Sequence, residues 1–166
     1  VDAINWVNGE NILYLGQDIQ LSIMKNSSNK ALVFNANTLT LATPTPDNQP
    51  LIQRKVIQWY QKQAGLDFCR RLEILAARLG VPTPPLTLSN AKSRWGSCNS
   101  RGEIRLNWRL LQAPPHIINY VICHELAHLK QMNHSAKFWA VVESLFPNYK
   151  MAEKELKTLS PKLHRM

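Results

Sequence analysis

A chain of 166 residues, 45% of them hydrophobic, holds one domain's worth of core and needs no disulfide to fold, since Cys69, Cys98 and Cys123 are odd in number and lack C-x-x-C spacing. That usage points to a reducing compartment, the cytoplasm, and with no run near the ~18 apolar residues of a membrane span and no charged-then-apolar leader, no membrane partner is expected. The net charge of +9 is uneven: residues 1–50 carry Lys25 and Lys30 against Asp2, Glu10, Asp18 and Asp47, so residues 51–166 hold 18 basic and 7 acidic groups. Such an excess suits weak DNA binding through the basic half; scattered as it is, it equally suits a solvated surface.

In chain order, Asn11 to Thr43 reads as strands. Ile19, Leu21 and Ile23 alternate with polar residues, as do Leu39 and Leu41, and Gly16-Gln17 and Asn35-Ala36-Asn37 punctuate them as turns. The expectation is a small antiparallel sheet. Pro44, Pro46 and Pro50 then form a stiff linker, which places a boundary between an N-terminal β subdomain, 1–50, and a second domain, 51–166.

Val56, Trp59, Tyr60, Ala64, Phe68, Leu72, Leu75, Ala76 and Leu79 recur at three and four, a helix that Gly65 is positioned to interrupt and that Gly80-Val81-Pro82 stops. Leu86-Thr87-Leu88 and Glu103 to Asn107 read as two strands of a second sheet, separated by Ser93 to Cys98 and a turn at Asn99 to Gly102. Pro114-Pro115 opens the next helix, predicted to run to Gln131 or Met132 on a core face of Ile118, Val121, Ile122, Leu126 and Leu129. Ser135 caps a further helix, with Phe138, Val141, Val142 and Leu145 inward, that ends at Pro147, and a last helix spans about Tyr149 to Leu159 before Pro161.

The stretch that carries chemistry is His124-Glu125-Leu126-Ala127-His128, followed by His134. Residues four apart share a helix face, so His124 and His128 can offer imidazole nitrogens to one ion, while Glu125 flanks them outside the ligand set, free to take a proton from water. Three of only five histidines fall within eleven residues, which sets them apart from ordinary solvated helix histidines. Six residues past His128, His134 cannot continue that face, so the helix must end and the chain turn back, with Asn133, tolerant of left-handed backbone, as the expected turning point. Cys123, beside the first histidine, reads as a small buried filler.

Ser93 to Cys98, Gly102 to Leu110, Ala113-Pro114, Tyr120-Val121, His124 to Leu129, Asn133-His134-Ser135 and Phe138-Trp139 together resemble the YgjP-like metallopeptidases over almost the whole chain. The resemblance implies an α+β fold with a zincin-like metallopeptidase core, the metal helix lying under a sheet whose edge strand borders the cleft. It also implies kinship with SprT-like and Wss1-like proteases, which act on proteins bound or crosslinked to DNA. Arg94, Trp95, Ser97 and Asn107 are marked by it without an assigned chemistry. Arg94 is a candidate for steadying substrate or transition-state charge, or else holds its loop through backbone carbonyls, with Trp95 as core. Tyr120, on the ligand face, is a candidate oxyanion donor or a packed rim residue. Cys98 is either a ligand to an inhibited zinc or a packed thiol.

These readings converge on a zinc-dependent endopeptidase of peptide or protein substrates. His124, His128 and His134 bind Zn2+, with one position left for water, and Glu125 is the general base. The rivals are a nucleic-acid-associated module with a structural zinc, which has no use for Glu125, and a zinc hydrolase of a non-peptide substrate, which the motif alone does not separate.

Overall fold

The computed structural model describes residues 2–166. Its first sheet comprises β1 (Asn11–Tyr14), β2 (Gln17–Lys25), β3 (Val33–Asn35) and β4 (Thr38–Thr43), in the order β1-β2-β4-β3. Two tight hairpins set the register: Leu15-Gly16 and Ala36-Asn37 both take positive φ at each residue, the twist that two-residue loops need, so that Tyr14 pairs with Gln17 and Asn35 with Thr38. The sheet is antiparallel at both flanks, but its middle pair, β2 with β4, runs parallel. Burial explains the insertion of β4: its Leu39 and Leu41 are fully buried, whereas every residue of β3 is exposed, so the more apolar strand takes the interior place.

Helix α1 (Gln49–Leu79) is the spine of the molecule, packing against the next helix, α2 (Pro115–Ala127), against the 3-10 turn Trp108–Gln112 and against β5 (Leu86–Ser89). The Asn48 side chain accepts from the Leu51 amide and Pro50 fills the first turn, so the proline-rich linker runs directly into the helix. Gly65 does not interrupt it; a glycine inside a helix costs only about 1 kcal/mol relative to alanine, less than the buried row of Ile52, Val56, Tyr60, Ala64, Phe68 and Leu72 contributes. The stop is where the sequence puts it, with Gly80 at φ 79 and the Val81 amide reaching back to the Ala76 carbonyl.

The second sheet adds β6 (Gly96–Cys98) and β7 (Ile104–Asn107) in the order β5-β7-β6, with β5 parallel and β6 antiparallel to β7. Strand β6 was not expected from the residues themselves, and it forms the edge. Two contacts tie the first sheet to the rest of the molecule: before α2, Gly16, at φ 83, donates to the Gln112 carbonyl and lies so near Pro114 that a β carbon would stand 2.9 Å from it, and from α1 Tyr60 donates its hydroxyl to the Leu13 carbonyl.

Helix α2 packs against α1, against β6 and β7, and against both later helices, α3 (Ala136–Leu145) and α4 (Tyr149–Leu163). It ends at Ala127, several residues before the expected Gln131, because the amides of Leu129 and Lys130 turn back to carbonyls three residues away. Helix α4 continues through Pro161, where the sequence predicted its end; the proline lies in the last turn, where it forfeits one intrahelical bond, and His164 still donates to the Ser160 carbonyl. Among the described residues no helix is long and apolar enough to cross a membrane.

Candidate active site

Two turns at the C-terminal end of α2 carry His124, Glu125 and His128, and burial of Ile122, Cys123 and Leu126 on the opposite side fixes which way they point. His134 arrives from the segment after the helix. The chain returns through the consecutive turns at His128 to Lys130, and Asn133, expected to take left-handed backbone, is not among the residues with positive φ; a series of tightened right-handed turns reverses the chain without one. Ser135 then caps α3, its hydroxyl accepting from the Phe138 amide, which anchors His134 one residue before the cap.

The three imidazoles converge. Ring centroids lie 5.4 Å apart for His124 and His128, 5.3 Å for His124 and His134, and 4.8 Å for His128 and His134, and one donor atom from each falls within 4.8 Å of the others. A carbonyl or carboxylate oxygen only accepts, so the contacts of His128 Nδ1 with the Gln131 carbonyl and of His124 Nδ1 with Glu125 Oε2, each 3.2 Å, put the ring proton on Nδ1. Both rings then keep an Nε2 lone pair for an ion. Burial lowers the pKa of His134, with further lowering by His128 and then His124, which favours its uncharged ring.

Beneath the triad lies Phe138. Fully buried, it places its ring 5.1 Å from His124, 4.5 Å from His128 and 4.8 Å from His134, an apolar floor that excludes water from one side of the donor set. Trp139 stacks on His134 at 6.0 Å and on Tyr149 at 5.3 Å, which couples the third imidazole to α4. Sequence reasoning took Phe138 only as core of α3; its spacing of four from His134 was the available signal.

Glu125 is buried, and the edge strand closes over it at Gly96. Beside them a pocket is lined by Trp95, Tyr120, Val121, His124, Glu125 and Leu156 as well as Gly96. Tyr120 thus shares the pocket with the triad's first member; burial raises the pKa of its hydroxyl, with Glu153 and then Glu125 adding to the effect, so it stays protonated. Arg94 is exposed on the loop before β6 and does not line the pocket; its carbonyl, not its guanidinium, takes part in holding the loop. Trp95 is half-buried against His164, with rings 4.7 Å apart. The Cys98 thiol donates to the Asn99 carbonyl at 3.6 Å, and burial followed by the charge of Glu125 pushes its pKa up, which keeps it a packed thiol.

Asn107 holds this edge in place. Fully buried, it donates Nδ2 to the Ala91 carbonyl at 2.6 Å and to the Arg94 carbonyl at 3.3 Å, accepts from the Arg109 amide at 3.0 Å, and donates its own amide to the Trp95 carbonyl at 2.8 Å. Asn107 therefore ties the loop that delivers β6 to Glu125 at Ala91, Arg94 and Trp95.

A family model for the YgjP-like metallopeptidase domain matches residues 2–159. The chain belongs to the YgjP-like metallopeptidase family. Among solved structures it is similar to the metallopeptidase zymogen abylysin of Pyrococcus abyssi, at 30% identity over 55% of this chain and 92% of that one, with a TM-score of 0.52. The metallopeptidase zymogen jannalysin of Methanocaldococcus jannaschii is 22% identical over 57% of this chain and 95% of its own, with a TM-score of 0.48, and Wss1 of Saccharomyces cerevisiae is 15% identical over 87% and 98%, with a TM-score of 0.45. No curated protein matches. The expected α+β metallopeptidase fold and the YgjP-like resemblance therefore both hold, and the three histidines can hold a metal ion in a protein whose family requires one.

Proposed function

We propose that His124, His128 and His134 hold a zinc ion and that Glu125 is the general base with which this metallopeptidase cleaves bonds within peptide or protein chains. The observation that carries the reading is the convergence of three imidazoles beside one buried carboxylate that faces a pocket. The donor set fits zinc: imidazole nitrogen is a preferred ligand, and one donor atom from each of the three side chains lies within 4.8 Å of the others. A triad with no fourth histidine, cysteine or carboxylate in its cluster, among the described residues, suits an open site better than a structural one.

When bound, zinc supplies Lewis acidity, which brings the pKa of water toward ~7 and polarises a carbonyl. Glu125 takes up the proton of the attacking water on a carboxylate oxygen and hands it to the leaving amine. Phe138 keeps bulk water from the floor of the site, and the Gln131 carbonyl holds His128 in its ligating tautomer. Tyr120, protonated and in the pocket wall, is placed to donate to developing negative charge. Arg94, exposed, meets only parts of a substrate that extend beyond the pocket. Among the described residues strand β6 pairs with β7 alone, and an unpaired outer edge is suited to take an extended backbone, as in chains cut internally.

The test combines metal analysis with proteolysis. Purified protein should carry about one zinc per chain, and Glu125→Gln should keep fold and zinc while losing turnover on the order of a hundredfold or more. Equal turnover in parent and variant would remove Glu125 as the base, and cleavage of a non-peptide ester or amide in place of peptides would move the chemistry to another substrate class.

A further inference from the structure

The pocket beside Glu125 has a volume of about 200 Å³, and its walls come from three separate elements. Trp95 precedes the edge strand, Tyr120 and Val121 belong to the metal helix, and Leu156 belongs to α4. Apart from Glu125 and His124, these walls are aromatic or aliphatic, and no lysine or arginine lines the space to receive an acidic group. Cavities of ~150 Å³ lined by apolar side chains hold benzene, so a phenyl or isobutyl group fits here. The walls are braced: Trp95 leans on His164, just past the end of α4, while Tyr120 packs on Phe146 at 6.1 Å.

Resting on the reading of Glu125 as the base, we infer that this pocket selects a large apolar side chain on the residue that supplies the leaving amine, and that Leu156 sets its depth. The orientation follows from the proton's route. Glu125 delivers its proton to the amine, so the residue carrying that amine passes nearest to Glu125, and the pocket that Glu125 borders receives its side chain. Apolar walls favour burial of leucine, methionine or phenylalanine over alanine on the order of 10- to 100-fold. Carboxylates are disfavoured twice over, by desolvation and by Glu125; an ammonium meets Glu125, but that carboxylate is engaged by the His124 ring and no second acidic side chain lines the space, so the lost hydration is not recovered. Helix α4 thereby becomes part of the substrate site, although no residue of it carries the chemistry.

The probe is a set of hydroxamates on zinc-loaded protein, measured by calorimetry: acetohydroxamate as the group that needs only the metal, and succinyl hydroxamates whose single variable side chain is methyl, isobutyl, benzyl, aminobutyl or carboxyethyl. The expected result is affinity that rises on the order of 10- to 100-fold from methyl to isobutyl or benzyl, with both charged groups no better than methyl. Leu156→Ala should leave acetohydroxamate binding unchanged and admit a naphthylmethyl group that the parent rejects; Leu156→Phe, which fills the space, should abolish the benzyl advantage. Acetohydroxamate binding also reports that each variant is folded and loaded. A flat series, or tighter binding of a charged side chain, with acetohydroxamate still bound would overturn the pocket's role and leave the metallopeptidase reading intact. Failure of acetohydroxamate itself to bind the loaded parent would overturn the reading of the metal site and this inference with it.

Discussion

Gly96 and Glu125 are in contact through the missing side chain of the former: a β carbon on Gly96 would lie 3.0 Å from both Cγ and Oε2 of Glu125 and 3.2 Å from Leu106 Cδ2. The glycine is thus required by space rather than by backbone angle, since its φ lies outside the left-handed region. Gly96→Ala should fold and bind metal, because the methyl displaces Glu125 by tenths of an ångström. Turnover should fall on the order of 10-fold, since small displacements of catalytic groups carry penalties of that size. Undiminished kcat at unchanged zinc content would show that Glu125 has room to move without consequence.

That contact was illegible in the sequence for a physical reason. The helices and the ligand triad announce themselves through local periodicity, His124 and His128 by a spacing of four and α1 by its apolar row. Strand β6 has three residues, two of them glycine and serine, and exists only because Cys98 pairs with Ile104 and Gly96 with Leu106 across a turn. Pairing of that kind is a tertiary property. The same holds for β4, whose place between β2 and β3 is decided by which strand is the more apolar, and for Phe138, whose role beneath the triad depends on how α3 docks.

Asn107 offers a test of how much the edge strand depends on its anchor. Asn107→Ala leaves the Ala91 and Arg94 carbonyls and the Arg109 amide without this partner, and each buried polar group left unpaired costs about 1–3 kcal/mol. The variant should be less stable in urea and should lose activity beyond what its stability explains, measured at a temperature where it is fully folded. Asn107→Asp keeps an acceptor for Arg109 but sets negative charge against two carbonyls, so it should behave no better than alanine. If both variants match the parent in stability, water or rearrangement replaces these bonds.

Metal dependence should appear in stability as well as in turnover. An ion that binds only the folded state stabilises it by an amount that grows with the logarithm of its concentration over Kd, about 2.7 kcal/mol at a hundredfold excess. Chelation should therefore lower the melting temperature of the parent and leave a His124→Ala, His128→Ala double variant unmoved. His134→Ala, which keeps the two helix ligands, should retain metal more weakly than the parent. A double variant that still carries a full complement of zinc would place the ion elsewhere.

Cys123, one residue before His124 and fully buried, gives a pH prediction whose sign is set by burial. Burial pushes its thiol up from 9.0 to about 12, an effect only partly offset by Arg78. Below the unfolded value both states keep the proton and the thiol adds no pH dependence. Above it the unfolded chain releases a proton that the folded chain retains, so stability falls as pH rises from about 9 toward 12. Cys123→Ala removes that contribution. Urea unfolding at pH 8.0 and at about 9.5, short of the range where the buried tyrosines Tyr60 and Tyr120 add their own loss, should therefore show a smaller drop in the variant than in the parent. Equal drops in both would mean that the thiol is as readily ionised in the folded chain as in the unfolded one, and that the packing beside His124 is looser than its burial indicates.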